Sequence, residues 1–172
     1  MSFLNRFKSP GFSLPEKSTP QATPQQIALA WFGSLLILVM LFMLTRAFSF
    51  SFMLGSFAGT CAYIFGYPEL PFSQPRNILG GHFISALISL ILFSALGTQV
   101  WIVCIAISTS IALMMYTGTM HPPAATNPLI IVLTPTAWSI LFSPILIGCL
   151  IIICAGYIYN NLANPKSYPK YW

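Results

Sequence analysis

The sequence predicts an all-α membrane protein, a polytopic transmembrane helix bundle of four or five spans with two proline-broken connecting segments. Of its 172 residues, 56% are hydrophobic and 5% are charged, whereas soluble domains carry roughly 25% charged residues. The mean hydropathy is +0.80. The chain also contains several uncharged apolar runs, the first of 19 residues. Runs that approach 20 residues are typical of membrane-spanning helices.

The apolar runs are separated by short polar or proline-containing segments. A helix over residues 27–45 would be about 28 Å long, which is enough to cross the hydrocarbon core. Arg46 and a Phe-rich segment follow it directly, so we expect an uncleaved anchor. In the second run, Gly55 and Gly59 have the spacing that allows helices to approach closely in membranes. The later runs cover residues 47–67, 78–96, 100–116 and a fifth stretch that ends near Tyr159.

Both ends of the chain are polar and basic. Residues 1–26 are rich in Pro, Ser, Thr and Gln and predict a flexible tail. Residues 27–160 form the predicted transmembrane domain, and residues 161–172 a C-terminal tail whose aromatic side chains, Tyr168, Tyr171 and Trp172 among them, settle at headgroup depth. The positive-inside rule places the N-terminal tail in the cytoplasm and prefers an even number of spans, whereas five spans would separate the two basic tails.

Composition also excludes several classes of protein. The net charge of +5 is spread along the chain, so we expect no nucleic-acid partner. With two acidic residues in total, no catalytic set of carboxylates is available, and we expect neither an enzyme nor a cofactor. The four cysteines lie in apolar runs without metal-ligand spacing, so we interpret them as small apolar side chains buried in the membrane and expect no metal site: Cys61, Cys104, Cys149 and Cys154.

Residues 67–77 form the first proline-broken segment, which we call the first break. Here Gln74 precedes Pro75, a residue suited to the first turn of a helix, and Arg76 and Asn77 follow. The free N–H groups and the positive dipole end of such a helix start favour an anion. Just beyond the first break, His82 follows a pair of small residues, Gly80 and Gly81, which predict close helix approach.

Residues 117–128 form the second proline-broken segment, which we call the second break. His121 precedes Pro122 and Pro123 there, and Asn127 precedes Pro128, which predicts two successive helix starts. A weak internal repeat aligns residues 47–96 with residues 97–146 and superimposes the two breaks. The repeat predicts that both breaks lie on the same side of the membrane and share a site.

Three separated motifs carry a family resemblance. They are FSQPRNILGGHFISAL from Phe72 to Leu87, MHPPAATNPLI starting at Met120, and the terminal YNNL and YPKYW. Through them the chain resembles the HPP family of small integral membrane proteins. The resemblance implies four membrane helices, and because plastid and cyanobacterial members are associated with nitrite transport, it implies nitrite as a candidate substrate.

These patterns and the resemblance together predict a transporter or channel-like protein for a small inorganic anion, with nitrite as the candidate. Arg76 presents paired donors to a planar oxyanion, and the two histidines exchange protons near neutral pH. The predicted pathway residues are Arg76, Asn77, His82, His121 and Asn127. We expect a homo-oligomer, because one protomer offers few helices to enclose a path, located in a bacterial inner membrane.

Structural interpretations of the same residues stay open. Arg76 would extend to the headgroups or pair with Glu69, His82 would make an interhelical hydrogen bond, and His121 would cap a turn. Under that interpretation the protein does not transport and instead assembles with or regulates a partner.

Overall fold

In a computed structural model, the chain is described over residues 22–48, 55–133, 137–162 and 167–172, and every regular element in these ranges is helical. The predicted flexible tail falls mostly outside them. Six α-helices are present: α1 Pro24–Phe48, α2 Gly55–Cys61, α3 Pro75–Leu96, α4 Val100–Tyr116, α5 Asn127–Ile131 and α6 Ile147–Leu162. Shorter helical turns join them: Ala62–Gly66, Pro71–Ser73, Pro122–Thr126, Trp138–Leu141 and Phe142–Leu146.

Three helical segments in the described ranges are long and apolar enough to cross a membrane. They are α1, α3 and the segment Trp138–Leu162, which contains α6, while α4 is a shorter apolar helix. The all-α membrane fold is therefore as predicted, and the number of spans stays a prediction.

Helix α1 begins three residues before the predicted apolar run. The backbone N–H of Thr23 donates to Gln26 Oε1 at 2.9 Å, and the N–H of Gln26 donates to Thr23 Oγ1 at 3.3 Å. This reciprocal pair is a capping box, and Pro24 occupies the first helical position. Residues 24–26, predicted to belong to the flexible tail, instead form the first turn of a helix, because the side chains of Thr23 and Gln26 each accept a hydrogen bond from a free backbone N–H at its start.

The start of α1 packs beside the end of α6. Tyr159 Oη donates to the carbonyl oxygen of Leu29 at 2.8 Å, and the ring also lies against Gly33. The start of α1 and the end of α6 are thus at the same end of the bundle.

Helices α3 and α4 form an antiparallel hairpin. Gly97 ends α3 with a φ of 86°, a left-handed conformation that glycine adopts without steric cost. The predicted run over residues 100–116 coincides with α4, and the run over residues 78–96 ends with α3. The apolar runs therefore predicted the bounds of both helices of this hairpin to within a few residues.

The predicted second run, residues 47–67, is divided between two helices. Its first residues complete α1, and its last form α2 and the π-helical turn Ala62–Gly66. Around this turn, Asn160 Nδ2 donates to the carbonyl oxygen of Ile64 at 2.9 Å, and Ser73 Oγ donates to those of Tyr63 and Tyr67 at 3.1 and 2.6 Å. Such partners allow a helix to end inside an apolar bundle, where exposed carbonyl groups cost several kcal/mol each.

Candidate functional site

The first break leads into α3 through an ordered turn. Gln74 has extended backbone just before Pro75, which occupies the first position of α3. The Gln74 side chain does not cap the helix: its Nε2 donates to the carbonyl oxygens of Pro68 and Leu70, both at 2.9 Å. Gln74 and Pro75 therefore hold the shape of the first break.

The second break lies directly on α3. A Cβ added at Gly80 would lie 2.7 Å from Thr119 Cγ2, and one added at Gly81 would lie 2.8 Å from His121 Cβ. Contacts this short do not occur between real carbon atoms, so the absence of side chains at both positions is what lets the second break approach the helix.

A second glycine contact holds the next part of the second break. Pro122 begins the 3-10 turn that leads to α5, and Pro123 is buried beside α2. A Cβ added at Gly59 would lie 3.0 Å from Pro123 Cβ. Of the two glycines predicted to allow close packing in the second run, Gly59 makes the tight contact, whereas Gly55 would make an ordinary one at 3.9 Å.

Hydrogen bonds join the breaks to each other. His121 Nδ1 donates to the carbonyl oxygen of Phe72 at 2.6 Å, and Asn77 Nδ2 donates to that of Met120 at 3.0 Å. A longer bond runs from Arg76 Nη2 to the carbonyl oxygen of Thr117 at 3.3 Å. The two breaks are therefore in contact, and their placement on one side of the membrane stays a prediction.

A buried histidine pair lies at the centre of this region. Thr60 Oγ1 is 3.0 Å from His82 Nε2 and 3.0 Å from His121 Nε2, and the two ring centroids are 5.2 Å apart. Asn127 Nδ2 lies 3.1 Å from His82 Nδ1 and donates to the His82 carbonyl oxygen at 3.2 Å. Both histidines and Thr60 are 0% exposed. We call Asn127, His82, Thr60 and His121 the histidine chain.

Thr60 is the member of the histidine chain that sequence reasoning missed. Its hydroxyl also lies 3.0 Å from the carbonyl oxygen of Ser56, one turn earlier in α2. Threonine in a helix usually makes this local bond, so its presence in an apolar run carries little information. The available signal is the spacing of Ser56 and Thr60, which puts two hydroxyls on one face of a short helix beside Gly59.

Arg76 is separate from the histidine chain. Its side chain is exposed, and Nη2 donates to the carbonyl oxygen of Thr117 at 3.3 Å. The predicted pathway residues thus divide into two groups. Arg76 is exposed at the edge of the site, which we call the rim. The others are buried: Asn77, His82, His121 and Asn127. Pairing of Arg76 with Glu69 stays a prediction.

Polar side chains continue one helical turn beyond the histidine chain. The hydroxyls of Ser56 and Ser85 are buried without a hydrogen-bond partner. Ser85 follows His82 by three positions, and Ser56 precedes Thr60 by four, so each lies on the same helix face as its polar neighbour. Buried polar atoms are normally paired, so two unpaired hydroxyls in an apolar interior are unusual.

Within the described ranges no cluster of three or more His, Cys, Asp or Glu side chains is present. The histidine chain consists of hydrogen-bonding side chains, and its two imidazoles are groups that can bind a proton.

The C-terminal residues pack onto the first break. Tyr168 Oη donates to the carbonyl oxygen of Ser73 at 2.9 Å, and Asn161 holds the Tyr168 backbone through bonds of 2.6 and 3.1 Å. Tyr168 is 2% exposed, and burial raises the pKa of its phenol. Tyr168 therefore faces the protein interior instead of the surface, and its depth in the membrane stays a prediction. Tyr171 and Trp172 are 44% and 75% exposed.

Replacing Tyr168 with phenylalanine is expected to lower the free energy of unfolding by about 1–2 kcal/mol, since the buried carbonyl oxygen of Ser73 loses its donor. Tyr171→Phe is the matched control, because the Tyr171 hydroxyl makes only 3.4 Å contacts with Pro71 and Asn77. Thermal unfolding in detergent micelles measures both. Equal midpoints for the two variants would contradict an anchoring role for Tyr168.

Fold and site together define a multi-pass helical membrane protein whose interior holds a buried histidine pair. The chain belongs to the HPP transmembrane region family, whose model matches residues 19–169.

Two curated relatives, both named transmembrane proteins of Dictyostelium discoideum, are similar to the chain. One is 39% identical over 128 residues, covering 70% of this chain and 45% of the relative. The other is 34% identical over 169 residues, covering 91% of this chain and 54% of the relative. The chain thus spans about half the length of the curated relatives it matches. No solved structure matches it.

Proposed function

We propose that the protein is a transmembrane transporter of a small inorganic anion, with nitrite as the candidate substrate, and that a proton crosses together with the anion. The observation that supports the proposal is the buried histidine pair at the contact of the two breaks. Ionisable side chains inside a membrane protein are costly to bury and commonly mark an ion or proton pathway.

Charge balance favours joint movement of a proton and an anion. Across the described ranges, the buried polar groups of the site are His82, His121, Thr60, Asn77 and Asn127, all of which can be uncharged. An isolated anion or an isolated imidazolium in this interior would carry a large desolvation cost, whereas the pair has no net charge. The site is therefore suited to an anion and a proton together.

The rim supplies the attraction that brings an anion to the site. Arg76 is charged at every physiological pH, and its exposed guanidinium presents planar donors beside the first break. Nitrite itself is suggested by the family resemblance, and a planar oxyanion fits the donor geometry of arginine. The names of the matched relatives state only that they are transmembrane proteins.

The proposal also covers assembly and chemistry. We propose that the protein forms a homo-oligomer, because one protomer has few helices to enclose a path. We propose no enzymatic reaction. Placement in a bacterial inner membrane stays a prediction, as the two matched relatives come from Dictyostelium discoideum.

The test is nitrite uptake into liposomes that hold the purified protein, with a pH gradient and with the membrane potential clamped separately. Uptake that follows the pH gradient and is insensitive to potential is expected for one proton per anion. Protein-free liposomes are an essential control, since nitrous acid crosses bilayers unaided. Nitrate, chloride and formate serve as competitors.

Arg76→Gln is expected to lower nitrite uptake at low salt by about tenfold, and by less at high salt, because exposed charges attract ions over distances that salt screens. Arg46→Gln is the matched control: Arg46 is also exposed but lies in the last turn of α1, away from the breaks. Equal uptake by the two variants would contradict a role for Arg76 in anion capture.

A non-transporting membrane protein that assembles with or regulates a partner is the second candidate. It is favoured by the satisfied hydrogen bonds of the histidine chain, which also hold α2, α3 and α5 together. Absence of flux for every anion from well-reconstituted wild-type protein would support this function and overturn the transporter.

A further inference from the structure

The hydrogen bonds at the two ends of the histidine chain determine the direction of its donors. A carbonyl oxygen can only accept, so His121 Nδ1, 2.6 Å from the carbonyl oxygen of Phe72, carries a hydrogen. In the neutral ring, His121 Nε2 is then an acceptor. At the other end, the Asn127 amide nitrogen lies 3.2 Å from the His82 carbonyl oxygen, which fixes the orientation of the amide.

That orientation sets the tautomer of His82. Asn127 Nδ2 lies 3.1 Å from His82 Nδ1, and since this amide nitrogen is a donor, His82 Nδ1 accepts. The hydrogen of the neutral His82 ring is therefore on Nε2 and points to Thr60 Oγ1 at 3.0 Å. The two histidines are held in opposite tautomers, His82 with a hydrogen on Nε2 and His121 with one on Nδ1.

The Thr60 hydroxyl has two acceptors for its single hydrogen. His121 Nε2 and the carbonyl oxygen of Ser56 are both 3.0 Å from Oγ1. With neutral rings, Thr60 donates to His121. If a proton is added to His121 Nε2, that nitrogen becomes a donor, and Thr60 turns its hydrogen to Ser56 while its oxygen accepts from both rings. No heavy atom needs to move.

We propose that His121 Nε2 is the proton-binding atom of the site and that the Thr60 hydroxyl is the switch between its two protonation states. His82 keeps one neutral tautomer in both states. A proton on His82 Nδ1 would face the Asn127 amide hydrogens, and relieving that contact requires turning the amide away from the His82 carbonyl oxygen.

The groups around His121 are compatible with one added charge. The titratable side chains that face it are His82, from α3, and Tyr63, whose ring centroid is 6.0 Å away. Arg76 lies at the carbonyl oxygen of Thr117, on the rim. The backbone oxygens of Phe72 and Ser56 supply negative partial charge at the ends of the protonated arrangement.

The experiment uses nuclear magnetic resonance on the full-length protein in lipid, labelled with ¹⁵N-histidine and purified through a tag without histidine. Since the chain has two histidines, two imidazole spin systems are expected, and a His82→Gln sample serves only to assign them. At neutral pH the His121 ring should show a hydrogen on Nδ1 and the His82 ring one on Nε2. On acidification, the His121 ring should become doubly protonated first.

Two rings in the same tautomer, or earlier protonation of His82, would overturn the inference. The link between this proton and anion movement rests on the proposed function and has a separate readout. If nitrite and the proton bind together, nitrite should raise the midpoint of His121 protonation by about one pH unit, a tenfold coupling. The expected tautomers without a nitrite effect and without flux would retain the proton site and overturn the transporter.

Discussion

Replacing Thr60 with valine is expected to lower the free energy of unfolding by about 2–4 kcal/mol, the largest loss for a change that preserves side-chain shape. Valine fills the same space, so packing is retained. The loss comes from His82 Nε2–H, left without an acceptor, and from His121 Nε2, left without a donor. Both atoms are fully buried, and water cannot replace the hydroxyl without opening the bundle.

Thr60→Ser is the matched control for this prediction. Serine keeps the hydroxyl and loses only a methyl group, so its unfolding midpoint should stay closer to that of the wild type. Denaturation in mixed detergent micelles, followed by tryptophan fluorescence and circular dichroism, compares the variants. If valine and serine are equally stable, the hydroxyl does not hold the two histidines. Thr60→Val should also abolish proton-linked uptake, since the rings no longer share a hydrogen-bond partner.

The fold could be predicted from the sequence where a helix is a single uninterrupted apolar run. Helices α3 and α4 meet this condition, and their ends agree with the runs to within a few residues. The second run does not correspond to one helix, because its first residues complete α1 and only residues 55–66 form α2 and the π-helical turn. The contacts that hold this turn are also distant in sequence. Asn160, which donates to Ile64, is 96 residues away along the chain, and no local pattern contains that contact.

The same reasoning explains which parts of the site were predictable. His82, His121 and Asn127 stand out because ionisable and amide side chains are rare in apolar segments. Thr60 does not stand out, since threonine is common in such runs and bonds locally to its own helix. The burial of Tyr168 was missed for a different reason: its partner, Ser73, is 95 residues away, and a terminal tyrosine more often lies at the headgroups.

Replacing Gly81 with alanine is expected to lower the free energy of unfolding by about 1–3 kcal/mol, because a methyl group has no room against the second break. A Cβ at this position would lie 2.8 Å from His121 Cβ, 3.2 Å from Met114 Sδ and 3.2 Å from the carbonyl oxygen of Thr119. The methionine side chain can shift, but the backbone of the second break cannot do so without moving His121. The variant should therefore lose uptake as well as stability.

Gly66→Ala separates this steric effect from the general effect of removing a glycine. A Cβ at Gly66 would meet nothing within 4 Å, so alanine there should be neutral or slightly stabilising through a less flexible unfolded chain. Equal stability of Gly81→Ala and Gly66→Ala in the same micelles would contradict the close packing of the second break on α3. If only Gly81→Ala is destabilised, the ¹⁵N spectrum of its two histidines gives a further result. Displacement of His121 weakens its bond to the carbonyl oxygen of Phe72, which fixes its tautomer, so the His121 ring should show both tautomers. His82, held by Asn127, should keep its hydrogen on Nε2.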